Sequence, residues 1–260
     1  MSILTKEQRS VPHKPHVAVV VETEDAHLIN EAKQLRAKFR EATEKPSLLL
    51  YFGHGGIDIR SAKNPTKKGY FVDFSAIDRR TGAGNLSRKQ IFPKSIGSST
   101  KTIIDATAGF GSDAAMLALM GYTVKAFERS PIIAVLLRDG LRRAKQNQEI
   151  NKALGGRLSF TESDSLDAIQ TTHPADVVYL DPMFPPKRKK TALPQGSVQL
   201  LQAIVGHDNK EQTKSLFELA LCVAKKRVVV KRPNHAKLFR DNPAAVHKGK
   251  LVRYEVYKPV

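Results

Sequence analysis

From about Lys101 onward, short apolar segments alternate with segments of helical spacing, and that alternation leaves few folds open. The apolar segments cover 102–106, 123–127, 157–160, 176–180 and 227–231. Helical spacing covers 113–120, 132–148 and 210–224. Strands separated by helical crossovers pair in parallel, and the helices then cover both faces of the sheet. The C-terminal "AAVHKGKLVRYEVYKPV" reads as two strands around "KGK", a hairpin that adds an antiparallel strand. The expected architecture is α/β, with a seven-stranded, mostly parallel sheet over residues 76–260.

The first seventy-five residues have a different rhythm. Strands are expected over 17–21, 48–51, 57–59 and 70–74. A helix is expected over 24–38, with Ala26, Ile29, Ala32 and Leu35 near helical spacing, and "GHGG" reads as a turn. This predicts a small α/β unit over 1–75, joined to the larger domain by the basic, glycine-containing connector "DRRTGAGNLSRKQ".

Charge narrows the class of partner. Lys and Arg number 43 against 25 Asp and Glu, a net charge of +18. That excess is more than solubility needs and points to a polyanion, most simply nucleic acid. No stretch of eighteen apolar residues is present, so a membrane-spanning helix is not expected. The N-terminus is charged and has no apolar signal region, which suggests a cytoplasmic protein. A single cysteine, Cys222, excludes an internal disulfide and a multi-cysteine metal site. It is expected in the core of a helix. The eight histidines show no metal-ligand spacing, so no metal is expected.

Chemistry is expected at the carboxyl ends of the strands, where open α/β sheets bind ligands. "DATAGFGSDAAMLA" brings an acid, Asp105, into a turn with Gly109 and Gly111 and then into a helix. The glycines allow close backbone approach and positive φ. Glu128 ends the next strand and is suited to accept both hydroxyls of a ribose. Together they point to a cofactor containing adenosine. Asp164 and Ser165, in "ESDSL", either contact the adenine or cap a helix.

"DVVYLDPMFPPKRKK" is a buried strand that ends in an acid, prolines, an aromatic and four cations. "DPMFP" resembles the (D/N)-P-P-(Y/F) motif of amino-group methyltransferases. An exocyclic amine on a base is a poor nucleophile, because its lone pair is delocalised into the ring. Asp181 and the carbonyl of Pro182 are placed to accept its N–H bonds, and Phe184 is placed to stack on the base. Lys187, Arg188, Lys189 and Lys190 follow and could grip phosphates beside it. Lys231 and Arg232, at the carboxyl end of "KKRVVVKRP", and Arg79 and Arg80 are further candidate RNA contacts.

Across "FVDF", "DATAGFGSDA", "ERSPIIAVLLRDGL", "VVYLDPMFP" and "KRVVVKRP", the chain resembles the RsmJ-type ribosomal RNA methyltransferases. The segments occur in the family's order, from Phe71 almost to the C-terminus. The resemblance implies a class I methyltransferase fold and S-adenosylmethionine as methyl donor. It implies N2 of a guanine in 16S rRNA as acceptor, on free RNA or in the small ribosomal subunit. It also places cofactor contacts at Ser112 and Asp113, Glu128 and Arg129, Asp164 and Ser165, and Asp181. The alternatives are an adenine-N6 methyltransferase, a non-catalytic RNA-binding assembly factor on the same fold, and a nicotinamide oxidoreductase.

Overall fold

The computed structural model describes residues 16–39, 45–81, 86–183, 196–206 and 209–260. Among them a seven-stranded sheet is built from β4 (Thr102–Asp105), β5 (Thr123–Glu128), β6 (Leu158–Glu162), β7 (Val177–Leu180), β8 (Arg227–Pro233), β9 (Ala245–Lys248) and β10 (Val252–Tyr257). The strand order is β6-β5-β4-β7-β8-β10-β9. All neighbours are parallel except β10, which runs antiparallel to both β8 and β9. The sequence-based sheet and its C-terminal hairpin are both present.

Strand pleating divides the core in two. Ile103, Val177, Tyr179 and Val229 face one layer, while Ile104, Val178, Leu180, Val228 and Val230 face the other. All four residues of β7 are buried, as a strand covered on both faces requires.

The smaller sheet contains β1 (Val17–Glu22), β2 (Leu48–Gly53) and β3 (Gly56–Ser61). β1 and β2 are parallel; β2 and β3 are antiparallel. The helix α1 (Ala26–Lys38) starts at Asp25, whose carboxylate accepts the N–H groups of His27 and Leu28. The expected strand over 70–74 is not formed. Tyr70 makes one bridge to Ile59, and a 3-10 turn follows at Phe74–Ala76. Asp73 is the reason: its carboxylate accepts the Ser75 N–H and caps the turn instead of extending a strand.

The helix α4 (Pro131–Gln146) lies between the two sheets, so it is buried nearly all round. Asp139 on α4 is 1% exposed. It accepts the Ile57 N–H of the small sheet at 3.0 Å and pairs with Arg142 and Arg143. Arg143 in turn donates to the Val72 carbonyl at 2.7 Å. The apolar core runs without a break from Val17 through Ile59, Val72 and Leu137 to Val124.

Four of the described helices lack a counterpart in the sequence reading: α2 (Ile91–Ile96), all but the first residue of α5 (Gln148–Leu154), α6 (Ser165–Thr171) and α7 (Gly196–Val205). The others are α3 (Ser112–Leu119) and α8 (Lys210–Val223). The helix expected over 132–148 is α4 and stops before Asn147, whose side chain caps α5. Cys222 is exposed on α8 and not in its core, which corrects the expectation for it.

Candidate active site

The strand order reverses between β4 and β7, the position where open α/β sheets take ligands. An open cleft lies there. Its walls come from the loops after β4, β5, β6 and β7 and from α7 and α8.

The loop after β4 sets the cleft floor. Gly109 has φ 52° and Gly111 has φ 75°, left-handed values that favour glycine. A Cβ on Gly111 would lie 2.6 Å from Leu137 Cδ1, so the turn also needs the absent side chain for packing against α4. Glu128 grips this turn. Its Oε2 accepts the Gly109 N–H at 3.0 Å, and its Oε1 accepts the Ser130 N–H at 2.7 Å. A carboxylate has about four lone-pair positions, so two such bonds still leave it able to accept hydroxyls.

Gly109, Glu128, Arg129, Asp164, Ser165, Asp181 and Pro182 line the cleft. Asp164 lines the cleft and caps α6 through the Leu166 N–H at 2.9 Å, so the capping alternative holds for it. The Ser165 hydroxyl donates to the Ala106 carbonyl at 2.6 Å, which ties α6 to the β4 loop. Arg129 Nη1 approaches Gln212 Oε1 at 3.4 Å.

The remaining cofactor candidates stand elsewhere. Asp105 is 1% exposed beneath the loop and is not a cleft wall. Burial pushes its carboxyl up to about 8; the Thr107 N–H opposes that shift, and Asp113 and Asp181 add to it. Gly111 and Ser112 form the start of α3 outside the cleft lining. Asp113 does not face the cofactor cleft as expected. Its Oδ2 accepts the Tyr179 hydroxyl at 2.6 Å and the Lys231 ammonium at 3.0 Å.

The same ammonium lies 2.9 Å from Asp181 Oδ2. The Asp181 N–H donates to Thr107 Oγ1 at 2.6 Å, which joins the β7 end to the β4 loop. Beneath this cluster Phe92 stacks on Tyr254 at 4.8 Å and tilts against Tyr179 at 4.9 Å. Burial disfavours the Lys231 cation, yet the Asp181 and Asp113 carboxylates outweigh it and raise its pKa. Burial raises the pKa of Tyr179 well above its usual value, and the neighbouring carboxylates add to that.

The expected phosphate contacts need correction at two positions. Lys231 is bound to two carboxylates inside the site. Arg232, next along the strand, points to the opposite face, donates to the Lys237 carbonyl at 2.9 Å and lies over the Phe239 ring. Arg79 and Arg80 are on the surface, paired with Glu149 and Asp78. Phe184, Lys187, Arg188, Lys189 and Lys190 lie outside the described residues. Thr107, Tyr179, Leu201 and Leu216 were missed by sequence reasoning. Of these, only Thr107, inside the glycine turn, carried a local signal.

The comparisons with known proteins agree with this geometry. The family described as "Putative SAM-dependent methyltransferase" matches residues 28–259. The "Ribosomal RNA small subunit methyltransferase J" of Tolumonas auensis is 36% identical over 246 residues, covering 92% of this chain and 97% of its own. The protein of that name from Pectobacterium atrosepticum is 40% identical, over 78% of this chain and 84% of its own. The chain belongs to the ribosomal RNA small subunit methyltransferase J family. A solved member of the wider class, the SAM-dependent methyltransferase NGO1261 from Neisseria gonorrhoeae, is 28% identical. It aligns with a TM-score of 0.65 over 93% of this chain and 96% of its own. The matching family is one of SAM-dependent methyltransferases, and the cleft described above suits that cofactor: a glycine turn permits close approach, Glu128 offers an anionic acceptor, and Leu166, Leu201 and Leu216 supply apolar wall. Among the described residues no helix is long and apolar enough to cross a membrane, and no cluster of potential metal ligands occurs.

Proposed function

We propose that this enzyme methylates N2 of a guanine in small-subunit (16S) ribosomal RNA, in the cytoplasm. The observation that carries the reading is Asp181, held at the cleft rim by Thr107 and Lys231, in the "DPMF" sequence that follows β7. The relatives' shared name supports ribosomal RNA as substrate. S-adenosylmethionine supplies an electrophilic methyl group. Glu128 is assigned to the ribose hydroxyls, with Arg129 and Asp164 beside it. Asp181 and the Pro182 carbonyl accept N–H bonds from the amine and aim its lone pair, and Phe184 stacks on the base. Displacement at a methyl group requires alignment more than a strong base, so positioning carries most of the rate. The division into residues 1–75 and 76–260 belongs to the same proposal and is supported by the separate three-stranded sheet.

The run from Lys187 to Lys190 and the surface arginines Arg79 and Arg80 are proposed phosphate contacts. Replacing the four cations of the run with alanine should weaken RNA binding and flatten its salt dependence, by roughly 0.7 to 0.9 log units per log salt for each phosphate no longer neutralised. An unaltered slope would remove the run from the interface. The reaction itself is tested by incubating the protein with methyl-labelled S-adenosylmethionine and small subunits from cells that lack the gene. Label in small-subunit RNA is the expected result. Subunits that stay unlabelled, as free RNA and as particles, would overturn the proposal.

A further inference from the structure

The Lys231 ammonium bridges two carboxylates that arrive from different elements, Asp113 on α3 and Asp181 after β7. Tyr179 completes the arrangement by donating to the same Asp113 oxygen that Lys231 uses. The groups facing Lys231 are Asp113, Tyr179, Asp181, the buried Asp105 beneath the loop and Tyr254 from β10. Three of these are acids gathered at one end of the sheet, and Lys231 is the cation bonded to two of them. Without it, Asp113 and Asp181 would face each other as like charges in a partly buried place, and Asp181 would turn away or take up a proton.

We infer that Lys231 is a positioning residue for methyl transfer, holding Asp181 ionised and in a fixed rotamer at the cleft rim, with Asp113 and Tyr179 as its anchors. This rests on the role of Asp181 proposed above and deepens it. The bridge joins β8 to β7 and α3, so the acceptor is fixed by rigid elements. A side chain fixed in this way loses little freedom when the substrate amine arrives, and even a small misplacement of the acceptor costs rate steeply. Lys231 makes the contact to Asp181 at 2.9 Å with its own side chain 23% exposed and that of Asp181 37% exposed, so solvent screens the pair in part.

The test compares wild type with Lys231→Met, which keeps the stem and removes the charge. Methyl transfer to small subunits and its pH profile would be measured, together with S-adenosylmethionine affinity by calorimetry and thermal unfolding. The expected result is a kcat lower by about 100-fold, with cofactor affinity within a few-fold. The acidic limb of kcat should move to higher pH, because Asp181 has lost the Lys231 ammonium. Lys231→Ala assayed with added methylammonium should recover part of the lost rate, which a merely structural loss would not do. If Lys231→Met fails to fold, Asp113→Asn gives a second readout: a smaller fall in kcat and an acidic limb that moves to lower pH, because a like charge beside Asp181 has gone while Lys231 remains. A salt slope for RNA binding reduced by about one in Lys231→Met, with kcat and pH profile unchanged, would return Lys231 to phosphate contact and overturn the inference. An inactive wild type would instead remove the proposed function, so the two failures are distinct.

Discussion

Asp181→Ala is expected to lower kcat by roughly 100- to 1,000-fold, the size seen when one preorganised polar group is removed from a reacting centre. The amine of a base carries little charge in the ground state and gains positive charge as the new bond forms. An anionic acceptor therefore matters most in the transition state, and RNA affinity should change only a few-fold. The structure adds a second consequence. The variant leaves Lys231 paired with Asp113 alone, so the cluster keeps one ion pair and the fold should be retained. Thermal unfolding within a few degrees of wild type, together with the loss of kcat, is the expected pairing of results. Turnover near wild type would remove Asp181 from the chemistry.

Glu128→Ala should weaken S-adenosylmethionine binding by about 100-fold. Two hydrogen bonds to a charged acceptor contribute at least about 3 kcal/mol together, and 1.4 kcal/mol corresponds to a factor of ten. The backbone suffers as well, because the Gly109 and Ser130 N–H groups lose their acceptor and the glycine turn loosens. Glu128→Gln separates the two effects. Its single amide oxygen can keep one of the two backbone N–H bonds while the charge is removed, so its affinity should fall between wild type and alanine. Calorimetry decides the matter, and unchanged affinity in both variants would exclude the ribose role.

The large sheet was legible because its central strands are apolar on both faces and its helices have full-length amphipathic spacing. Val177–Leu180 could hardly be read otherwise. The segment over 70–74 misled because Val72 and Phe74 alternate like a strand, while the competing signal was a single side chain, the Asp73 cap. The helix α7 follows a stretch of prolines and cations and starts at Gly196, so no capping residue announced it. In the site, Arg129 came from the family resemblance and Thr107 was missed, while Gly109, Glu128, Asp164, Ser165 and Asp181 were legible from strand-to-loop order. Lys231 and Asp113 were not, because their partnership joins positions 118 residues apart. Adjacent in sequence, Lys231 and Arg232 read as one basic pair; the pleat sends them to opposite faces.

The central claim is that this cleft directs a methyl group to an exocyclic amine of guanine. The most direct measurement digests the labelled small-subunit RNA from the transfer reaction to nucleosides and identifies the labelled one by mass spectrometry. The account predicts that the label is in N2-methylguanosine, at one position, and that Asp181→Ala abolishes it. Label in N6-methyladenosine, or in a ribose or ring-carbon methyl, would contradict it.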